Sequence, residues 1–201
     1  MTYNPDIHHR RSIRLRDYDY SSAGAYFVTI RTENREGLFG NVTDGDMRLN
    51  NFGVVVAECW RALPTHFPAV ELDEFVVMPN HFHGIFVLDT IVGAQHAAPG
   101  ITTPGPICSV QKGAQHAAPL QTSGHTNVMS GSLGAIVRSF KSAASKRINE
   151  IRNDPGSPVW QRNYYERIIR NDHELERIRE YIVNNPLQWT DDSDNPMNTP
   201  S

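Results

Sequence analysis

The chain has 201 residues, of which 39% are hydrophobic and 9% aromatic, enough for one medium-sized globular domain with loops. Acidic residues (22) outnumber basic residues (19), and a net charge of −3 argues against non-specific coating of nucleic acid. No apolar run approaches the roughly 18 residues of a membrane-spanning helix, and no signal peptide is evident. We therefore expect a soluble, cytoplasmic protein with no membrane partner. Cys59 and Cys108 lie far apart, so neither a disulfide framework nor a cysteine-based zinc site is expected.

The first half of the chain predicts five strands and one helix. The predicted strands are rich in aromatic and β-branched residues or are joined by turn-forming residues. They are expected at residues 26–30, 38–42, 47–49, 72–78 and 81–88. Before the fourth strand, residues 52–63 carry apolar side chains at helical spacing. Asn50 or Asn51 would cap this helix, and Pro64 would end it.

The second half predicts two helices with one strand between them. Apolar side chains at helical spacing predict a helix over about residues 133–152 and a last helix from Asp172 to a stop at Pro186. Residues 159–169 predict a strand, or a strand with an extended lead. The order of elements predicts an α+β fold, with helices packed on an antiparallel sheet of the ferredoxin or RNA-recognition type.

The predicted domain spans residues 25–189, contains one insertion and is flanked by two further segments. Residues 90–130 are rich in small and polar residues with almost no charge, and they predict a flexible insertion. Residues 190–201 predict a disordered acidic tail, and residues 1–24 form a basic arm. This arm could contact the flank of a nucleic acid, and its candidate contacts are Arg10, Arg11, Arg14 and Arg16.

Positive charge is concentrated between residues 131 and 170, where there are eight basic and three acidic residues. Such a cluster is suited to the phosphates of nucleic acid, but it is as typical of an ordinary solvated helix face. The candidate phosphate contacts are Arg138, Lys141, Lys146, Arg147, Arg162 and Arg167.

Two histidines and a tyrosine are the candidate chemical groups. His81 and His83 are two residues apart in a predicted strand, so both imidazoles share one face and can hold one divalent ion. The same spacing places Phe82 in the opposite layer. Tyr181 and Asn185 lie four residues apart on one face of the last predicted helix, where they can meet the histidines. Alternatively, Tyr181 is an amphipathic core residue and Asn185 a helix cap.

Four segments, taken in this order, resemble one known family. They are residues 77–85 (VMPNHFHGI), 139–141 (SFK), 159–169 (VWQRNYYERII) and 181–186 (YIVNNP). Their combination resembles the REP-associated tyrosine transposases, which are single-tyrosine HUH enzymes related to insertion-sequence 200-like transposases. The likeness covers about residues 10–189, apart from the insertion.

The resemblance implies an HUH fold on an antiparallel sheet, with His81, His83 and Asn185 as metal ligands and Tyr181 as nucleophile. In that family the tyrosine attacks a phosphodiester of single-stranded DNA, forming a 5′-phosphotyrosine bond and a free 3′-OH. The implied function is a metal-dependent endonuclease and strand transferase acting on REP-like hairpins. Oxygen and mixed nitrogen and oxygen ligands favour Mg²⁺ or Mn²⁺. A monomer is expected, with a dimer as the alternative.

Other interpretations remain open at this point. The chain could be a domesticated descendant that binds hairpin DNA or RNA without cleaving it. A metal hydrolase of small phosphoesters is disfavoured, because the additional carboxylates of a two-metal site are missing. Tyr164 and Tyr165 are rival nucleophiles, but their place in an aromatic, strand-like run favours packing or base stacking.

Overall fold

The computed structural model describes residues 22–89 and 131–198. Most of the basic arm, with its four arginines, and the insertion at residues 90–130 lie outside the described residues. The strands are β1 (Gly24–Arg31), β2 (Gly40–Thr43), β3 (Asp46–Leu49), β4 (Val70–Val77), β5 (His81–Leu88) and β6 (Tyr165–Ile169). The helices are α1 (Asn51–Arg61), α2 (Leu63–His66), α3 (Leu133–Ile151) and α4 (Asp172–Asn184). None of the described helices is long and apolar enough to cross a membrane.

The main sheet has four strands in the order β4-β5-β1-β6, and every neighbouring pair is antiparallel. Strands β2 and β3 form a separate hairpin that follows β1. Without this hairpin and the short α2, the chain reads strand, helix, strand, strand, helix, strand, and α4 follows the last strand. The first and third of these strands form the centre of the sheet, which is the ferredoxin-like arrangement. The predicted α+β fold with helices on an antiparallel sheet is confirmed.

The two faces of the sheet carry different helices because side chains alternate along each strand. On one face, Tyr26 and Val28 of β1 and Phe82 of β5 join the large core formed with α1 and α3. On the other face, Phe27 of β1 and Ile85 of β5 form a smaller core with α4. The fold therefore places α4 over the face that carries the two histidines.

Helix ends differ in part from the sequence prediction. Asn50 is the N-cap of α1, since its side chain accepts hydrogen bonds from two first-turn N–H groups. Helix α1 ends at Arg61, and Pro64 lies in the first turn of α2, where its missing N–H is harmless. Asn171, rather than the predicted Asp172, caps α4. Asp172 is instead an acidic residue of the first turn, where its negative charge interacts favourably with the helix dipole.

The strand predicted over residues 159–169 is regular only at Tyr165–Ile169. Its lead pairs with the end of β1 at one bridge, between Thr32 and Trp160, and through the Gln161 N–H, which donates to the Arg31 carbonyl at 2.9 Å. The alternative of a strand with an extended lead is therefore the one observed.

The prediction of a disordered tail from residue 190 is wrong as far as residue 198. This segment contains 3-10 helical turns at Trp189–Asp191 and Pro196–Asn198, and Asp194 and Asn195 are buried. The acidic composition suggested solvation, but the Asp194 carboxylate accepts a hydrogen bond from Arg31 Nε at 2.8 Å. Charge pairing with β1 holds the segment on the sheet.

Trp60 of α1 is the largest fully buried side chain, and it constrains the sheet beneath it. Its ring centroid lies 4.6 Å from that of Phe82 and 5.2 Å from that of Phe140. A Cβ atom at Gly84 would lie 2.7 Å from Trp60 Cζ2 and 2.8 Å from Phe82 Cε1. Residue 84 must therefore lack a side chain for α1 to pack on β5 this closely.

We predict that Gly84→Ala lowers the free energy of unfolding by about 1–3 kcal/mol, as expected for overpacking. At about 2–4 °C per kcal/mol for a chain of this size, differential scanning calorimetry will detect the change. Gly37→Ala is the matched control, because nothing lies within 4 Å of a Cβ placed there. Equal melting temperatures for the two variants would contradict this account of the core.

Candidate active site

The candidate site is built on the pairing of β1 with β5. The antiparallel register places Thr29 opposite His83 and Arg31 opposite His81. Because alternate residues share a face, these four side chains lie on the side covered by α4. Phe82 lies on the opposite face in the large core, as its position between the histidines predicts.

His83 is buried and held from both of its ring nitrogens. Its Nδ1 lies 2.8 Å from Thr29 Oγ1, and its Nε2 lies 3.2 Å from the Tyr181 hydroxyl. The Phe27 ring stacks on the imidazole at a centroid distance of 5.4 Å. These contacts bring the histidine of β5 and the tyrosine of α4 together, as proposed from their spacing in the sequence.

His81 is oriented by the residue that precedes it. Its Nδ1 lies 2.9 Å from Asn80 Oδ1, while Asn80 Nδ2 donates to the carbonyls of Arg35 at 3.1 Å and Asp194 at 2.6 Å. Because the Asn80 amide nitrogen donates to two carbonyls, the Asn80 amide oxygen is the atom that faces His81. An amide oxygen can only accept a hydrogen bond, so the proton of the His81 ring is assigned to Nδ1. His81 Nε2 then presents a lone pair, and it is buried without a well-aligned hydrogen bond to a described residue, although the Asn185 side chain lies near enough to affect the pKa of the ring.

Asn185 supplies a second buried polar atom. It follows α4 as its C-cap, is 1% exposed, and lies close enough to His81 and Tyr181 to influence the pKa of each. Its Oδ1 forms no well-aligned hydrogen bond with a described residue, and a buried imidazole nitrogen and amide oxygen in this state are costly unless a ligand satisfies both. The described residues contain no cluster of three His, Cys, Asp or Glu side chains suited to a metal. A divalent cation here would have to use the Asn185 amide, and the donor types fit Mn²⁺ or Mg²⁺.

Burial sets the protonation of the imidazoles. It lowers the pKa of His81, an effect that the Asp192 carboxylate opposes. Burial lowers the pKa of His83 well below its usual range, and the neighbouring His81 and Arg31 add to that decrease. Both rings are therefore neutral near pH 7, which is the form that binds metal ions.

Tyr181 is the accessible member of the site. Its side chain is 41% exposed, and its ring lies 5.2 Å from the His83 ring. Burial raises the pKa of its hydroxyl, and Asp192 adds to the increase. It borders a cavity of about 470 Å³. Basic and acidic side chains both line this cavity, and they are Arg31, Arg167, Arg177, Asp192 and Asp194.

Ion pairs fasten α4 to two strands of its own chain. A bulge in β4 between Leu72 and Phe75 contains Asp73, whose carboxylate accepts from Arg179 Nε at 2.9 Å. At the start of α4, Glu174 pairs with Arg167 of β6. The bulge re-aims an acidic side chain toward the helix, as bulges near functional sites often do. Tyr181 therefore lies over the histidines of the same chain.

The predicted phosphate contacts divide into three groups. Arg167 lines the cavity that Tyr181 borders. Lys146 pairs with Glu150 on its own helix, and Arg147 pairs with Glu58 of α1. The other three line a separate cavity beside α3, and they are Arg138, Lys141 and Arg162.

The rival tyrosines separate as their alternation predicts. Tyr164 is half-buried and packs against the large core, whereas Tyr165 is 45% exposed and lines the Tyr181 cavity. Tyr181, in contrast, places its hydroxyl 3.2 Å from His83 Nε2. The geometry places Tyr181, rather than either rival, against the histidine pair.

Sequence reasoning missed several residues of the site. Thr29 and Arg31 are polar residues at alternate positions of an otherwise apolar strand, a signal that could have identified them. Asn80 lies between two predicted strands, where the local pattern indicates only a turn residue. Asp194 was assigned to the tail, and nothing in its neighbourhood of the sequence indicates a buried partner on β1.

The fold is similar to that of a solved structure. The solved structure of a REP-associated tyrosine transposase bound to a REP hairpin matches with a TM-score of 0.52 at 17% identity, covering 89% of this chain and 74% of that chain. The two proteins therefore share a fold. No family model matches the sequence.

A protein relative is much closer in sequence. The chain is 41% identical over 194 residues to an uncharacterized protein of Haemophilus influenzae, covering 94% of this chain and 95% of the relative. The chain belongs to the same family as this Haemophilus influenzae protein.

We predict that Asp194→Asn loosens residues 190–198, because it weakens the contact with Arg31 that fixes them to β1. Hydrogen exchange with mass spectrometry should show faster exchange in this segment, with the sheet still protected. Asp46→Asn is the control, since the Asp46 carboxylate is 75% exposed and its pairing with Arg48 is expected to contribute little. Unchanged exchange at residues 190–198 would show that the ion pair does not hold the segment.

Proposed function

We propose that the protein is a metal-dependent single-strand DNA endonuclease and strand transferase that cleaves at REP-like hairpins through Tyr181. The main support is the meeting of four side chains. The Tyr181 hydroxyl lies 3.2 Å from His83 Nε2, the His81 and His83 rings lie 4.6 Å apart, and Asn185 lies beside His81 and Tyr181. Neither His81 Nε2 nor Asn185 Oδ1 forms a well-aligned hydrogen bond with a described residue. The REP hairpin bound by the transposase of the same fold supports the substrate class.

In this proposal His81, His83 and Asn185 hold one Mn²⁺ or Mg²⁺ ion. When bound, the ion would polarise the phosphate and stabilise the charge that develops on its oxygens. The protein's part is to keep both imidazoles neutral and turned toward the ion. Burial keeps both rings neutral, while Thr29 orients His83 and Asn80 orients His81 through hydrogen bonds at Nδ1.

The chemical step uses the Tyr181 oxygen as nucleophile. It attacks the phosphorus of a DNA phosphodiester, an O–P bond forms, and the bond from phosphorus to the 3′ oxygen breaks. The phenolic proton is lost to solvent, and the departing 3′ oxygen takes up a proton to become a hydroxyl. The product is a 5′-phosphotyrosine, and attack by a 3′-OH reverses the step and rejoins strands. Arg31, Arg167 and Arg177 line the cavity where the phosphate would lie.

The same site supports proposals about assembly and place in the cell. Helix α4 is anchored by ion pairs to strands of its own chain, which favours a monomer that acts through its own tyrosine. Because the proposed substrate is DNA, we also propose a cytoplasmic location.

Binding of hairpin DNA or RNA without cleavage is the second candidate. It is favoured by the acidic side chains of Asp192 and Asp194, which line the Tyr181 cavity. Carboxylates repel a phosphodiester, so they would weaken entry of a strand to the tyrosine.

We predict that the wild-type protein forms a covalent adduct with labelled single-stranded REP hairpins when Mn²⁺ or Mg²⁺ is present, and that Tyr181→Phe abolishes it. Denaturing gels that resolve the adduct and the cleaved strand provide the measurement. Tyr165→Phe is the matched control, because Tyr165 lines the same cavity and should leave the adduct intact. Hairpin binding without cleavage under either metal would favour the binding candidate. An adduct that survives Tyr181→Phe would move the nucleophile to Tyr164 or Tyr165.

We predict that the metal site also binds Mn²⁺ in the absence of DNA. His81→Ala and Asn185→Ala should each weaken Mn²⁺ binding, measured by isothermal titration calorimetry, by at least about tenfold. His66→Ala is the control, since His66 is an exposed residue of α2. EDTA should stop cleavage by the wild type. Equal Mn²⁺ affinity in all variants would refute the ligand assignment.

A further inference from the structure

A second cavity, of about 660 Å³, lies between α3 and residues 156–164. Its volume is within the range of sites that bind small molecules, about 300–1,000 Å³. Apolar side chains contribute to its lining, including Val137, Val159 and Trp160. It is therefore large and apolar enough to accept one nucleobase.

The described charged residues that line this cavity are all basic. They are Arg138, Lys141 and Arg162, and no acidic residue of the described segments lines it. Lys141 Nζ donates to the carbonyls of Gln161 at 2.6 Å and Arg162 at 3.1 Å, so it fastens the loop to α3. Arg138 and Arg162 are exposed and form no ion pair with a described residue. Their guanidinium groups are available to phosphate.

Two lining residues also carry buried polar atoms without hydrogen-bond partners in the described part of the chain. They are Trp160 Nε1, a donor, and Asn149 Oδ1, an acceptor. Both residues are less than 10% exposed, at 7% and 8%. A nucleobase presents both donors and acceptors on its edge, so it could satisfy one or both of these atoms.

A chain of depressions joins this cavity to the candidate active site. A small depression of about 200 Å³ shares Gln161 and Tyr164 with the basic cavity. The same depression shares Thr29, Arg31 and Tyr165 with the cavity beside Tyr181. The three therefore adjoin along the segment that leads into β6. Aromatic and basic side chains along such a path suit a single strand, whose bases stack while its phosphates meet arginines.

We propose that the basic cavity binds one unpaired nucleotide of single-stranded DNA, and that the strand continues past Tyr164 and Tyr165 to Tyr181. The base enters between α3 and residues 156–164, and its flanking phosphates lie against Arg138 and Arg162. The inference rests on the proposed function for its substrate, and it adds a site that would select a nucleotide away from the cleaved bond.

The test measures binding rather than cleavage. Fluorescence anisotropy compares a REP-like hairpin alone with the same hairpin carrying a single-stranded extension of about eight nucleotides on its 5′ or 3′ side. Ser145→Phe places a ring in the cavity and should weaken binding of the preferred extended hairpin about tenfold, with little effect on the bare hairpin. An abasic nucleotide at the position that enters the cavity should cause a similar loss in the wild type and little further loss in Ser145→Phe.

Charge variants test the same cavity without filling it, in case Ser145→Phe folds poorly. Arg138→Ala and Arg162→Ala should each lower affinity for the extended hairpin several-fold and reduce the salt dependence by about one ion. Lys146→Ala is the matched control, since Lys146 lies on the same helix, pairs with Glu150 and does not line the cavity. Equal losses for Lys146→Ala, or for bare and extended hairpins, would overturn the proposal, as would no loss in either arginine variant.

The outcomes separate this site from the proposed activity. Covalent cleavage by the wild type, with extended hairpins bound equally by the cavity variants, would refute the nucleotide site and leave the endonuclease standing. Selective loss of extended-hairpin binding without cleavage would keep the site and refute the endonuclease. Tighter binding of an extension made of ribonucleotides would overturn the assignment to DNA.

Discussion

The pairing of β1 with β5 is the constraint on which the candidate site depends. Its register sets Thr29 opposite His83 and Arg31 opposite His81, so the partners of the histidines come from the neighbouring strand. Slipping β1 by one residue would turn Thr29 and Arg31 to the opposite face, away from the histidines. The two cores prevent this slip, because Tyr26 and Phe27 are buried on opposite sides of the same strand. Packing and chemistry are therefore fixed by one ladder of hydrogen bonds.

The sequence segments that resemble a known family are in contact with one another. Phe140 packs on Phe82 at 5.1 Å and on Trp160 at 5.8 Å, so it links the histidine strand to the lead of β6. The next residue, Lys141, holds the carbonyls of Gln161 and Arg162. One short segment of α3 thus positions both the sheet beneath the site and the loop beside the basic cavity.

Much of this fold follows from local signals in the sequence. Aromatic and β-branched residues predict β1 and β5, the two-residue spacing predicts the shared face of His81 and His83, and helical spacing predicts α1, α3 and α4. Local sequence patterns do not reveal contacts between distant segments of the chain. The buried pairing of Asp194 with Arg31 depends on how the end of the chain folds back, and composition alone suggested a solvated tail. Asn80 likewise looks like a turn residue until its amide is seen between His81 and the Asp194 carbonyl.

Burial has opposite chemical consequences for the two kinds of group at the site. Loss of solvent disfavours the charged form of each, so the pKa values of His81 and His83 decrease while that of Tyr181 increases. Neutral imidazoles are ready to bind a cation, whereas a protonated phenol is a weak nucleophile. A buried cation would reverse the second effect by favouring the phenolate electrostatically. The same desolvation that keeps the histidines neutral therefore disfavours the phenolate of Tyr181, and the nearby Arg31 opposes this effect only in part.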